Sequence, residues 1–182
     1  MEYSERDERD GLVYDPVIKQ YDTAFWKTTT GVPAMSSNVL RFTSAAAASY
    51  IQFIFSDVEF ALNVPTTPSA GEAKVWGLRK PSSDKLGAAY FEITGATFQA
   101  VTYDDGGTAQ TTAITWSSYE NTVTYYRIVW EPDGVRFLVN GSTVAFHTTR
   151  VPQQALPLRI VNGDADNTDL TYLAVRRSAS VI

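Results

Sequence analysis

The sequence predicts an all-β protein, a two-sheet antiparallel β-sandwich, and three observations carry that expectation. Val, Ile, Thr, Tyr, Phe and Trp, which suit a pleated and half-buried surface, are spread along the whole chain. Segments of strand length alternate with clusters of Gly, Pro, Asn, Asp and Ser that form turns. No segment holds a 3.6-residue apolar period over three turns, and no internal repeat is found. Many short strands without long helices bury their apolar faces by packing as two sheets. At 182 residues, with 44% hydrophobic and 19% charged, the chain reads as globular and long enough for one domain with a real core.

Taken in order, the first eleven residues hold five acids (Glu2, Glu5, Asp7, Glu8 and Asp10) and two arginines, Arg6 and Arg9. Such a segment seldom orders unaided, so residues 1–20 read as a charged N-terminal arm and 21–182 as the sandwich domain. The strand candidates are NVLRFTS, YIQFIF, VEFALNVP, AKVWGLRKP, AAYFEIT, TFQAVTYDD, TYYRIVWEPDG, VRFLVNG, STVAFHT, LPLRIVNG and LTYLAVRRS. Between them lie PTTPSAGE, KPSSDKLG, DDGGT, EPDG, NGS and NGDADNTD, all rich in turn formers. The clearest piece is a three-stranded meander. Tyr126, Ile128 and Trp130 alternate with Arg127, Val129 and Glu131, Pro132-Asp133-Gly134 turns the chain, and Val135, Phe137 and Val139 form the next apolar face. Asn140-Gly141 supplies a tight hairpin turn, and Val144 and Phe146 are expected to return toward the core.

Composition excludes several classes. No apolar run approaches the roughly 20 residues of a membrane helix, and the N-terminus has no apolar stretch of secretory-signal type. Absent cysteine removes disulfide scaffolds and zinc–thiolate sites. A net charge of −5 argues against sequence-independent nucleic-acid binding. The expected partners therefore include neither nucleic acid nor membrane.

The pattern Y-x-I-x-W-x-x-D-G-V-x-F-x-V-N-G, from Tyr126 to Gly141, resembles the late strands of concanavalin A-like lectin/glucanase jelly rolls. VEFALNVP is similar to the strand that laminarinase- and lichenase-type glycosidases write G-x-V-E-A-R-I-K-x-P, and KVWGLRKP, AAYFEI and FQAVTY fit the strands after it. The resemblance spans about residues 35–182 and implies the jelly-roll fold. It is specific for fold and not for function, because one fold hosts many functions.

The resemblance also implies where catalytic acids would stand. The family's E-x-D-x-E strand carries a nucleophile, a supporting Asp and an acid/base on one face. In FSDVEF the carboxylates Asp57 and Glu59 could share a strand face, but Phe55 would occupy the first Glu position. The better register puts Val58, Phe60, Leu62 and Val64 in the core and Glu59 outside. The catalytic strand then falls on AAYFEITG, with Tyr90 and Glu92 outward and Phe91 and Ile93 buried. One carboxylate is too few for a retaining mechanism, so no catalytic residue is assigned and the chain is expected not to be an enzyme.

Sugar binding needs flat aromatics beside hydrogen-bonding groups. The candidate ligand-binding residues are Trp76, Arg79, Tyr90, Glu92, Tyr103, Trp116 and Tyr119, with Gln99, Tyr125 and Arg127 as further candidates. His147, the single histidine, reads as a surface or rim residue. In NGDADNTD, Asp164, Asp166 and Asp169 offer oxygen ligands for a structural calcium, although a plain Asx-rich turn is the favoured explanation; no other cofactor is expected.

The Thr/Ser/Ala-rich texture, with no cysteine and no signal segment, looks like that of bacteriophage virion proteins bearing this jelly roll. The leading expectation is thus a non-catalytic binding or structural module of a virion: a decoration, fibre or adhesin component. Its partners would be a capsid or tail protein, another copy of itself, or a cell-surface glycan. The alternatives are a stand-alone carbohydrate-binding module and a laminarinase-like glycoside hydrolase.

Overall fold

Alternation of apolar and polar residues becomes two stacked sheets in the computed structural model, which describes residues 12–14, 25–65, 68, 73–81, 86–115 and 119–177. The strands are β1 (Leu12–Tyr14), β2 (Trp26–Thr30), β3 (Ala34–Ser36), β4 (Val39–Phe42), β5 (Ala45–Phe53), β6 (Ser56–Asn63), β7 (Ala73–Arg79) and β8 (Ala88–Thr94). They continue as β9 (Thr97–Tyr103), β10 (Ala109–Ile114), β11 (Val123–Glu131), β12 (Gly134–Val139), β13 (Ser142–His147), β14 (Leu156–Asn162) and β15 (Thr168–Arg177). One sheet runs β13-β12-β11-β6-β15-β4-β3, with β1 added on β15; the other runs β10-β9-β8-β7-β14-β5-β2. Among the described residues there is no helix long and apolar enough to cross a membrane. The all-β sandwich expected from sequence is the fold observed.

The core fills the space between the sheets. From the first sheet come Phe42, Val58, Phe60, Leu62, Tyr126, Ile128, Trp130, Phe137 and Leu170; from the second come Trp76, Leu78, Phe91, Ile93, Phe98, Leu158 and Ile160. The expected register of β6 is the one observed, with Val58, Phe60 and Leu62 buried and Asp57 and Glu59 on the opposite face. The β11–β12 meander is as expected, with Tyr126 opposite Val139 and Trp130 opposite Val135. Asn140 and Gly141 both take positive φ, 49° and 80°, which is what a two-residue hairpin turn requires.

Three expectations change. First, β13 runs in the opposite phase. Phe137 faces Ala145 and Leu138 faces Thr143, so Val144 is an extra residue in a bulge. A one-residue bulge exchanges the faces of every later side chain. His147 and Ala145 therefore point inward and Phe146 outward, where the Arg136 guanidinium lies 4.5 Å from its ring centre. His147 is fully buried rather than at the surface. Second, β2, β3, the alanine-rich start of β5 and β10 are strands that the sequence does not announce. AAAAS and AQTTAI lack the β-branched and aromatic alternation on which strand assignment rests. Third, the chain bends at Ile54-Phe55, where Phe55 takes φ 45° and sets its ring edge-on to Trp130 at 5.5 Å. Residues 1–11 of the charged arm lie outside the described residues; within the arm, β1 pairs with β15.

Candidate functional site

The site is built on the outer face of the second sheet, where β14, β7, β8 and β9 lie side by side. Because Trp76 and Leu78 point into the core, Gly77 and Arg79 fall on the outer face, as do Ala88, Tyr90 and Glu92 of β8. The same alternation brings out Gln99, Val101 and Tyr103 of β9 and Arg159 of β14. Pairing aligns Arg159, Gly77, Tyr90 and Val101 as one row across four strands.

Glycine at position 77 shapes the centre of that row. A Cβ there would approach Ala89 O and Tyr90 Cα at 2.6 Å, so only bare backbone lets Tyr90 lie so close. Tyr90 packs with Val75, Ala88 and Val101 as a small apolar floor. Its ring stacks on Tyr103, with centres 6.4 Å apart and planes 12° apart, and the Arg79 guanidinium sits 5.1 Å from its centre. Beside this pair, Gln99 Nε2 donates to Glu92 Oε2 at 3.0 Å, which fixes the carboxylate's orientation. Burial first, and then the charge of Glu92, raises the Tyr90 phenol above its ordinary pKa, so it stays protonated as a donor.

On the cationic side, Arg159 Nη1 donates to the Lys80 carbonyl at 2.7 Å. Burial first, and then the charge of Arg79, lowers the Arg159 pKa from its ordinary value. The Nε atoms of both arginines are buried and have no hydrogen-bond partner among the described residues. Glu92 is the one carboxylate on this face of β7, β8, β9, β10 and β14 among the described residues.

The sequence candidates are thus divided. Arg79, Tyr90, Glu92, Gln99 and Tyr103 come together on one face. Trp76 does not join them: its indole is fully buried and packs on Phe91 and Tyr126, with centres 6.1 and 4.8 Å away. Tyr119 is half-buried and meets Phe98 edge-on at 6.2 Å, at the margin of the core. Trp116 lies outside the described residues. Arg159 and Gly77 were not found from sequence, although L-P-L-R-I-V-N alternates so as to bring the arginine out.

The carboxylates of FSDVEF belong to the other sheet. Arg127 Nε donates to Asp57 Oδ1 at 2.7 Å and Nη2 donates to Oδ2, while Arg176 Nη1 lies 3.7 Å from Asp57 and 4.0 Å from Glu59. Glu59, Tyr125, Arg127, Asn140 and Gly141 line a shallow depression of about 300 Å³ there.

In the calcium candidate, the three acids serve the turn between β14 and β15. Asp169 receives Arg41 bidentately at 2.8 and 2.7 Å, and Asp164 Oδ1 accepts the Asp166 N–H at 3.1 Å. Asn162 Nδ2 bridges to the Phe42 and Asp166 carbonyls. Among the described residues no three His, Cys, Asp or Glu side chains gather as a metal site. The DDGGT turn is closed by Asp104 Oδ1, which accepts the Gly106 and Thr108 N–H groups at 3.0 and 2.8 Å.

No protein-family model and no curated protein sequence matches the chain. Solved structures do. The Bacillus licheniformis β-glucanase superposes with a TM-score of 0.73 at 14% identity, over 93% of this chain and 99% of its own. The laminarinase catalytic domain from Thermotoga maritima gives 0.74 at 11%, over 94% and 98%. The Crh5 transglycosylase gives 0.72 at 17%, over 94% and 88%. These neighbours correct the expectation that the chain is not an enzyme, since the sandwich it shares is one on which a glucanase, a laminarinase and a transglycosylase are built. They lend nothing to the virion reading and favour its carbohydrate alternatives. The chain has the concanavalin A-like jelly-roll fold of glucanases and transglycosylases.

Proposed function

We propose that this protein is carbohydrate-active and takes a polysaccharide across the outer face of β7, β8 and β9. The observation that carries the reading is the set Arg79, Glu92, Gln99 and Tyr103, half-exposed on one sheet face around the buried ring of Tyr90. Sugars need hydrogen-bonding groups fixed in direction, and Glu92 held by Gln99 is such a group. The fold of the glucanase and laminarinase neighbours supports the same class of ligand.

If the protein cuts or transfers a glycosidic bond, Glu92 is the group on this face able to move a proton to or from the linkage oxygen. A retaining reaction also requires a second carboxyl about 5–5.5 Å away, and an inverting one roughly 6.5–9.5 Å away. The described residues of the face do not contain that partner; Glu72 and Asp84, which flank β7 and β8 in sequence, lie outside them.

The test is affinity electrophoresis in polysaccharide gels together with a reducing-end assay, on the wild type and Glu92→Gln. The reading expects retardation by at least one polysaccharide, with retardation or cleavage reduced about tenfold or more in the variant. Equal behaviour of both proteins on every polymer would remove Glu92 from the site. No retardation and no cleavage by the wild type would end the carbohydrate reading itself.

A further inference from the structure

Arg79 and Arg159 stand on the same face, one at the end of β7 and the other opposite Gly77 on β14. Leu158 pairs with Leu78 and Arg159 with Gly77, which makes the two arginines diagonal neighbours across β7 and β14. A buried or half-buried cation is normally balanced by an acid in contact, because leaving it unpaired costs stability. No salt bridge among the described residues serves either one; the ion pairs of arginine are made by Arg41, Arg127, Arg136, Arg150 and Arg176. One hydrogen bond to the Lys80 carbonyl and one ring contact to Tyr90 use a small part of ten guanidinium N–H donors. Glu92, the carboxylate described on this face, pairs with Val75 and Gln99 outside that row and is turned to Gln99.

Resting on the reading above, we propose that the polysaccharide taken by this face is anionic, and that Arg79 and Arg159, diagonal neighbours across β7 and β14, receive the carboxylate or sulfate of one of its sugars. Guanidinium forks match such planar or multi-oxygen anions through paired, charge-assisted bonds. Both guanidiniums are only half-buried, whereas Gly77 between them is covered by Tyr90. Glu92 on β8 and Gln99 opposite it on β9 then meet the uncharged hydroxyls of the same chain. The net charge of −5 makes this local cationic pair selective, since the rest of the molecule repels a dense polyanion such as nucleic acid.

Three polymers separate the sources: polygalacturonate for carboxylate, a sulfated galactan for sulfate ester, and a neutral β-1,3-glucan. Binding is measured by affinity electrophoresis and titration calorimetry for wild type, Arg79→Gln and Arg159→Gln, in about 0.05 and 0.5 M salt. The expected result is at least tenfold tighter binding to one anionic polymer than to the neutral one. Each substitution should weaken it about tenfold, the loss of one charge-assisted bond, and high salt should weaken it further. Neutral glucan bound as tightly as both anionic polymers, with both variants unchanged, would overturn the anionic assignment and leave the carbohydrate reading standing. Failure of all three polymers would overturn both. Should Arg159→Gln not fold, Arg79→Gln and the salt dependence of the wild type decide.

Discussion

The two outer faces of this sandwich handle charge in opposite ways. On the first sheet, Asp57 and Glu59 are met by Arg127 and Arg176, so two acids and two bases cancel within a few ångströms. On the second, Arg79 and Arg159 share one face with no acid in contact among the described residues, and Glu92, the one carboxylate described there, is bound to an amide. A cancelled network explains itself as structure, because each charge has its partner. A pair left uncancelled among the described residues points to a partner beyond them. The carboxylates that catch the eye in the sequence are thus the less informative ones.

That contrast can be broken experimentally, beginning with the layer between the faces. Trp76→Ala should cost about 3–5 kcal/mol in urea unfolding, the cost of emptying a core aromatic site. A stable variant with lost glycan binding would instead put the indole on the ligand face. Next comes His147, whose Nδ1 and Nε2 lie 2.9 and 3.0 Å from the Thr102 and Thr112 hydroxyls and whose ring packs on Phe137. His147→Ala should cost about 2 kcal/mol through the unpaired Thr102 hydroxyl and the void.

Burial also lowers the His147 pKa from its ordinary value. Below about pH 6.5 the unfolded chain takes up a proton that the folded state resists, so stability falls as pH drops from there and is flat above. His147→Gln should remove that slope from the pH series. Arg127→Ala should cost about 1 kcal/mol, modest because its side chain is 40% exposed, and should leave glycan binding unaltered. Smallest of all, Arg79→Gln should move stability by no more than about 0.5 kcal/mol. A large loss there would make Arg79 a structural residue and erase the contrast between the faces.

Much of this was legible in the residues. The meander from Tyr126 to Val139 reads directly, because two turns with their own chemistry fix its register. The outward pair Tyr90 and Glu92 also reads directly, since strand alternation is enough to place them, although Tyr90 proves covered rather than open. What alternation cannot give is the neighbour across the sheet. Arg159 meets Gly77 only because β14 inserts between β7 and β5, a pairing of residues some eighty positions apart. Trp76 was misjudged for a related reason: an aromatic count does not say which face of its strand carries the ring. Alanine-rich β5 stayed hidden because its strand comes from the partners on either side rather than from its own propensity.

The bulge at Val144 has a consequence for how this protein tolerates change. From Ala145 to His147, inside and outside are decided by one surplus residue, not by the hydrophobicity of any one side chain. Substitution scanning of that hairpin would report mild effects at Val144, and deleting it would leave Ala145, Phe146 and His147 opposite their present partners in a regular ladder. A library of single-residue deletions across β12 and β13 would show tolerance at Val144 and loss of stability within β12, where the register with β11 is also set.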